Sequence, residues 1–86
     1  MGNVIQAGVG QAPARQASIF AGLDYSVPCT TLNKVCGSGL RSIISSIQAI
    51  RLGDGSLMVA GGMENMSLAP HLLGQSRTGQ NLEILK

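Results

Sequence analysis

The sequence contains few aromatic and few charged residues. Among its 86 residues there are one Tyr, one Phe and no Trp, and charged residues make up 12%. Ile, Leu, Val, Met and Ala must therefore form the core of one small domain, which buries a smaller share of its surface than a larger domain does. The apolar content of 44% still indicates a folded chain, because disordered segments are more charged and less apolar.

Three kinds of partner are not predicted by the sequence. The six basic and four acidic residues are scattered and give a net charge of +2, so no basic patch is present for nucleic acid. No apolar run approaches the roughly 18 residues of a membrane span, and the first residues lack the regions of a signal peptide. Two cysteines and one histidine are too few for a structural zinc site. We expect a soluble intracellular chain with reduced cysteines, no membrane and no metal.

The residue pattern predicts two helices and two strands. Pro13 to Ala21 are predicted to be helical, because proline suits the first helical position and a glycine that can end the helix follows. Cys29 to Leu32 are rich in β-branched residues and predict a strand. Helical spacing predicts a longer helix from Ser38 to Leu52, and the apolar run Leu57 to Ala60 predicts a strand buried on both faces. The order strand, helix, strand indicates an α/β fold with mainly parallel strands and a right-handed crossover.

Each predicted helix has a face that we expect to pack against a neighbour. On the shorter helix, small residues recur at Ala14, Ala17 and Ala21, which lets another backbone approach closely. On the longer helix, apolar residues recur every three or four positions and form the predicted core face. These apolar residues are Leu40, Ile43, Ile44, Ile47 and Ile50.

Cys36 lies where the first predicted strand gives way to the longer helix, next to Gly37 and close to Gly39. The free amides of a helix's first turn and the positive end of its dipole stabilise a thiolate, while glycines let a substrate carbonyl approach the backbone. A free cysteine is otherwise often a buried packing residue. The position of Cys36 favours a nucleophile, whereas Cys29, inside the predicted strand, is interpreted as a packing residue.

Glu64 and Asn65 follow the second predicted strand in the segment Gly61 to Asn65. Ligands of parallel sheets bind beyond the carboxyl ends of the strands, where Cys36 is also predicted to lie. The two polar side chains either orient a substrate or hydrogen-bond their own loop, and the sequence favours neither interpretation.

Two further features give a less specific signal. His71, the one histidine, is in principle a base for Cys36, but it lies in a predicted loop and is interpreted as a surface or packing residue. The segment 8–13 is similar to the start of a dinucleotide fingerprint, but a proline stands in place of the third glycine, which favours a turn.

Three blocks of the sequence, in order, closely resemble the thiolase family, and in particular its branch that acts on acetyl-CoA. The resemblance covers roughly residues 2–78 and implies an α/β fold that corresponds to part of the N-terminal half of a thiolase. Residues 1–86 would then be a partial N-terminal domain, in which 68–86 begin the substrate-covering loop region and end in a divergent tail. The blocks are Gly8-Val9-Gly10-Gln11-Ala12-Pro13-Ala14-Arg15-Gln16, Asn33-Lys34-Val35-Cys36-Gly37-Ser38-Gly39-Leu40 and Val59-Ala60-Gly61-Gly62-Met63-Glu64-Asn65-Met66-Ser67.

The resemblance implies a reaction and a role for Cys36. In thiolases a cysteine at this position is acylated by an acyl-CoA, and the acyl group then passes to acetyl-CoA or to free CoA. The resemblance therefore implies coenzyme A thioesters as substrates, no bound cofactor, and a backbone amide of Cys36 in an oxyanion hole. It also implies a homo-oligomer, either a dimer or a tetramer, located in the cytoplasm, in mitochondria or in peroxisomes, of which we expect the cytoplasm.

Other thiolase motifs do not occur in this sequence. The family uses a histidine in Gly-His-Pro, a second cysteine in Cys-x-Gly-Gly-Gly and an Asn-Glu-x-Phe segment near the substrate. We therefore expect the 86-residue chain to be incomplete and inactive by itself. One alternative is a non-catalytic product that associates with full-length thiolase subunits through residues 29–32, which resemble the strand that pairs across the thiolase dimer axis. Another is a free redox thiol at Cys36.

Overall fold

The computed structural model describes residues 1–79. It contains two α-helices, α1 at Pro13–Phe20 and α2 at Ser38–Leu52. Two short 3-10 helices lie further along, at Met66–Leu68 and Ser76–Thr78. Within this range no helix combines the length and the apolar character that crossing a membrane would require.

Three extended segments lie side by side and run parallel. The first contains Gly2 and occupies the middle position, the second contains Leu32 and the third contains Gly62. Gly2 forms isolated bridges to Leu32 on one side and to Gly62 on the other. The amide of Gly2 donates to the carbonyl of Gly61 at 2.8 Å, and the carbonyl of Gly2 accepts from the amide of Met63 at 2.9 Å. The parallel arrangement agrees with the predicted α/β class, although the sequence analysis did not identify the central segment.

The two predicted strands are not confirmed. Within residues 1–79 the backbone pairing between segments consists of isolated β-bridges. Of the two predicted strands, Leu32 takes part in such a bridge, and no residue of 57–60 does. Leu57 and Val59 are 87% and 78% exposed, so the prediction that this run is buried on both faces is wrong. The reason lies in the register. Because Gly2 is opposite Gly62, the segment that contains Gly2 pairs beside residues 61–63 and not beside residues 57–60.

Helix α2 ends at Leu52 as predicted, α1 ends one residue before the predicted Ala21, and a glycine in the left-handed conformation follows each helix. Gly22 follows the end of α1 with φ 88°, and Gly53 follows α2 with φ 80°. Both amides return to the last turn of the preceding helix, Gly22 to the carbonyl of Ile19 at 3.0 Å and Gly53 to that of Ile50 at 3.1 Å. A residue with a β-carbon would be strained in this conformation, which explains why glycine marks the helix ends.

Helix α1 packs beside the second extended segment through its small residues. Ala14 is buried, and its amide donates to the hydroxyl of Thr31 at 3.0 Å. Ala17 is partly buried, whereas Ala21 is exposed and lies just beyond the helix. The predicted small face is therefore confirmed for the first two of its three residues.

The first turn of α2 lies directly on the extended segments, backbone against backbone. A β-carbon added to Gly2 would lie 2.7 Å from the carbonyl carbon of Ser38 and 2.9 Å from the amide nitrogen of Gly39. One added to Gly62 would lie 3.5 Å from the α-carbon of Gly39. Because no side chain fits between these backbones, glycine at position 2 fixes how closely α2 approaches.

The buried side of α2 consists of small polar residues, and the predicted core face is wrong for the described chain. Ser38 and Ser42 are the buried residues of α2. The hydroxyl of Ser42 accepts from the amide of Gly61 at 3.1 Å and lies 2.8 Å from its carbonyl oxygen. Small side chains allow this close approach, whereas the elements of residues 1–79 do not cover the apolar side. The residues of that side are between 36% and 65% exposed: Leu40, Ile43, Ile44, Ile47 and Ile50.

We predict that Gly2→Ala weakens the docking of α2, whereas Gly39→Ala strengthens the helix. The new β-carbon at position 2 would overlap the backbone of Ser38, and such overpacking costs about 1–3 kcal/mol. The added methyl group at position 39 meets no atom within 4 Å, and replacing a helical glycine by alanine stabilises by about 0.5–1 kcal/mol. Urea titration followed by far-UV circular dichroism measures both effects. Equal midpoints for the two variants would contradict the proposed contact.

Candidate active site

Cys36 lies in a tight turn that leads into α2. The amide of Gly37 donates to the carbonyl of Lys34 at 3.0 Å, and the amide of Ser38 donates to the carbonyl of Val35 at 3.2 Å. Gly37 is the N-cap of α2, so Cys36 stands two positions before the first helical residue. The exposed thiol therefore lies at the positive end of the α2 dipole, as the sequence predicts.

Two side chains hold this turn in shape. The hydroxyl of the buried Ser38 accepts from the amide of Lys34 at 2.8 Å and donates to the carbonyl of Val35 at 2.6 Å. The side-chain oxygen of Asn33 accepts from the amide of Val35 at 2.9 Å. These roles were not predicted from the sequence. Short polar residues that flank a turn are a known signal for such side-chain to backbone bonds.

Val35, the residue before Cys36, has a strained backbone. Its φ of 48° lies in the left-handed region, which β-branched residues rarely adopt. Strain of this kind costs about 1–3 kcal/mol and persists only where the surrounding structure enforces it. The hydrogen bonds from Ser38 and Asn33 supply that constraint, and the resulting turn presents the next side chain, Cys36, to solvent.

The backbone amide of Cys36 lies before the hydrogen-bonded turns of α2. The first amide of α2 that returns to the preceding turn is that of Arg41, which donates to the carbonyl of Gly37 at 2.9 Å. Within residues 1–79 no acceptor takes the amide hydrogen of Cys36. A free amide beside a nucleophile at a helix N-terminus is suited to stabilise negative charge on a substrate oxygen.

Cys36 borders a cleft of about 530 Å³ between its turn and the third extended segment. Clefts of about 300–1,000 Å³ are typical of small-molecule sites. Glycine backbone and apolar side chains dominate the lining, so a ligand would contact peptide groups directly. Besides Cys36, the lining residues include Val4, Ile5, Gly39, Gly62, Met63 and Met66.

The polar residues after the third extended segment bond backbone amides of this chain. The Glu64 carboxylate accepts from the amide of Val4 at 2.9 Å and from that of Ile5 at 2.8 Å, and the Asn3 side-chain amide lies 3.3 Å away. The side-chain oxygen of Asn65 accepts from a backbone amide of the 3-10 helix that follows. Asn65 therefore agrees with the loop interpretation, whereas Glu64 joins the third segment to the first.

The remaining sequence candidates lie apart from Cys36. His71 is exposed and is not among the residues that line the cleft in the described part of the chain, so the structure does not bring it to the thiol. The segment 8–12 turns, as interpreted, with Gly8 and Gly10 at φ 81° and 86°, and α1 begins at Pro13. Within residues 1–79, no three His, Cys, Asp or Glu side chains are grouped as a metal site would require.

Cys29 is less buried than its interpretation as a packing residue implies. It is only partly buried, and its sulfur lies 3.9 Å from Nη1 of Arg15 on α1. No local residue pattern predicts this contact, because 14 residues separate the two side chains.

The sequence matches a family described as the thiolase N-terminal domain over residues 1–85. It is similar to the acetyl-CoA acetyltransferases of Pseudomonas aeruginosa, at 60% identity over 92% of this chain and 20% of that protein, and of Escherichia coli, at 58% identity over 95% and 21%. The crystal structure of Acat5 thiolase from Ascaris suum in complex with coenzyme A matches with a TM-score of 0.85 and 45% identity, over 87% of this chain and 20% of that one. The chain thus spans about a fifth of the length of these proteins.

We predict that Val35→Gly stabilises the protein while it loosens the turn. Glycine adopts φ 48° without strain, and the exposed valine side chain contributes little burial, so stability should rise by about 1 kcal/mol. The matched control is Val59→Gly, which is also exposed but has no positive φ and should lower stability. Urea midpoints compare the two variants. A loss of stability in Val35→Gly as large as that in Val59→Gly would show that the turn is not strained.

Proposed function

The chain belongs to the thiolase family, and on this premise we propose that Cys36 carries the acyl group in an acyl-CoA:acetyl-CoA C-acyltransferase reaction. The thiolate of Cys36 attacks the thioester carbonyl of an acyl-CoA. The bond between the carbonyl carbon and the CoA sulfur breaks, CoA leaves, and the acyl group stays on Cys36 as a new thioester. For condensation, acetyl-CoA loses a proton from its methyl carbon, that carbon attacks the acyl thioester, a carbon–carbon bond forms and the thiol of Cys36 is released. For thiolysis, Cys36 attacks the β-keto carbonyl of acetoacetyl-CoA, the carbon–carbon bond breaks, and acetyl-CoA leaves after its carbon takes up a proton. The acetyl group on Cys36 then passes to free CoA.

The observation that carries this proposal is the position of the exposed Cys36 thiol at the N-terminus of α2. The thiol lies beside a cleft that is lined mainly by glycine backbone and apolar side chains. The positive end of the α2 dipole lies beside the attacking sulfur. During attack, negative charge develops on the carbonyl oxygen of the substrate. The unused amide of Cys36 is the group on this chain that would donate to that oxygen.

Coenzyme A thioesters are the proposed substrates, and acetoacetyl-CoA formation or its thiolysis is the proposed reaction. The Ascaris suum structure was determined with coenzyme A, and the similar curated proteins are named for acetyl transfer from acetyl-CoA. The apolar, glycine-rich lining of the cleft agrees with a small acyl group held beside Cys36. We propose no bound cofactor in addition to these substrates.

We propose that the 86-residue chain has no appreciable turnover by itself. Residues 1–79 contribute the nucleophile and the helix terminus, but the structure does not place His71 at Cys36. General acid or base catalysis contributes about 10²–10⁴-fold, and the carboxylate that lines the cleft, Glu64, accepts hydrogen bonds from the amides of Val4 and Ile5. The predicted loop region 68–86 is described only up to residue 79, and residues 80–86 lie outside the described range.

A second candidate function is association with thiolase subunits, including a homo-oligomer of dimeric or tetrameric form. Two observations favour it. In the described part of the chain, the segment that contains Leu32 pairs on one side, with the segment that contains Gly2. Its other edge has no paired strand there and could pair with a strand of another subunit. The apolar side of α2 is also exposed, and large exposed apolar surfaces mark interaction sites.

We propose the cytoplasm as the compartment, although a similar mouse protein is mitochondrial.

The first test joins this chain to the remainder of a similar enzyme. A chimera in which residues 1–79 replace the matching segment of the Escherichia coli protein should cleave acetoacetyl-CoA with CoA. Cys36→Ser should lower its kcat by about 10³-fold or more, because the acyl-carrying atom is lost, and Cys29→Ser should not. The free 86-residue chain should show no turnover that depends on Cys36. Unchanged activity of the Cys36→Ser chimera would refute the proposed nucleophile.

The second test concerns association. The tagged 86-residue chain, coexpressed with the full-length Escherichia coli protein, should copurify with it at a defined stoichiometry. Thr30→Pro should weaken this association, because proline bends the edge of the extended segment, whereas Ser26→Pro in the preceding loop should not. Size-exclusion chromatography with light scattering measures the complexes. A chain that remains monomeric beside the full-length protein would count against this candidate.

A further inference from the structure

Arg15 holds the loop that leads to Cys29 against α1. Its guanidinium donates to the carbonyl of Val27 at 2.7 Å and to that of Tyr25 at 2.6 Å. The same Nη1 lies 3.9 Å from the sulfur of Cys29. A permanent positive charge is therefore fixed beside a partly exposed sulfur atom.

Ser18, one turn further along α1, contributes a buried hydroxyl. Ser18 is 8% exposed, and its oxygen has no hydrogen-bond partner within residues 1–79. In the thiol form, Cys29 donates its hydrogen to the carbonyl of Val27 at 3.4 Å, and the sulfur is then a weak acceptor. The thiolate form would accept from Ser18 and satisfy a hydroxyl that is otherwise unpaired.

The two neighbours act in the same direction on the titration of Cys29. The hydrogen bond from Ser18 lowers the pKa of Cys29, and the contact and charge of Arg15 lower it further, against the opposing effect of desolvation. The thiolate is consequently present at a larger fraction near neutral pH than in an unperturbed cysteine. Partly exposed cysteines of this kind are the ones that oxidants attack.

We propose that Cys29 is a second reactive thiol, distinct from the acyl-carrying Cys36, and that hydroperoxides oxidise it to a sulfenic acid. The thiolate attacks one oxygen of the peroxide, so that a sulfur–oxygen bond forms and the oxygen–oxygen bond breaks. The other oxygen leaves as hydroxide, or as alkoxide from an alkyl hydroperoxide, and takes a proton from water. Sulfur is oxidised, the peroxide is reduced, and Arg15 and Ser18 stabilise the anionic nucleophile before attack.

The test uses the complete chain with Cys36→Ser, in which Cys29 is the one remaining cysteine. Hydrogen peroxide is added at neutral pH, the sulfenic acid is trapped with dimedone, and intact mass gives the rate. We expect the native chain to react several-fold faster than the same chain unfolded in urea. Ser18→Ala and Arg15→Gln should each slow the native reaction. A variant that has a tenfold smaller thiolate fraction should react with peroxide about threefold more slowly. The decrease is smaller than tenfold because a thiolate with a higher pKa is also a better nucleophile.

Matched substitutions separate this effect from a loss of fold. Ser45→Ala and Arg51→Gln change the same residue types on α2 and should leave the rate unchanged, and circular dichroism checks the helix content of every variant. Arg15→Lys, which keeps the charge, should retain most of the rate. In Ser18→Ala and Arg15→Gln, the pH at which iodoacetamide alkylation is half-maximal should rise together with the loss of peroxide reactivity.

Two outcomes would overturn the proposal. One is a native rate no higher than that of the unfolded chain. The other is a rate that neither Ser18→Ala nor Arg15→Gln changes. Because Cys36 is absent from this experiment, its result is independent of acyl transfer, and failure of either proposal leaves the other standing.

Discussion

The backbone of α2 rests on the glycines of the extended segments with no side chain between them. This contact places the helix N-terminus above the middle of the three segments, where Gly2 and Gly62 meet Gly39. The direction of the turn before the helix follows from it, and so does the position of Cys36 beside the cleft. The buried hydroxyl of Ser42 adds hydrogen bonds to the same contact. Since apolar burial within residues 1–79 is slight, close backbone packing and polar contacts have a correspondingly larger role.

Local features were predictable from the sequence, and features that depend on register were not. The limits of α2, the glycines after both helices and the position of Cys36 follow from residues within one or two turns of each other. The central position of residues 1–3 depends on pairing with residues near 32 and 62, which no local pattern reveals. The spacing of apolar residues predicted the helix α2 correctly, but the face that packs on the extended segments is the one with Ser38 and Ser42. Small serine side chains fit there because the helix backbone lies close to the backbone of the segments.

The two thiols lie in different electrostatic surroundings. Cys36 lies beside peptide groups and the positive end of a helix dipole, which are fixed by the fold. Cys29 relies on the side chains of Arg15 and Ser18, which the helix holds one turn apart. The first environment was predictable from glycines and a helix start. The second was not, because α1 and the following loop must fold together before the three side chains meet. Nor did the sequence contain a signal for the left-handed backbone of Val35.

The hydrogen bonds between Glu64 and the amides of Val4 and Ile5 have a consequence for biosynthesis. The donor and acceptor residues are about 60 positions apart, so the earlier partner leaves the ribosome well before the later one is made. At about 5–20 residues per second, the interval is about 3–12 s. During that time the nascent segment at residues 2–5 has no strand on the Gly62 side and no carboxylate for its amides. Chaperones that shield extended, apolar segments would have their main opportunity on this protein in those seconds.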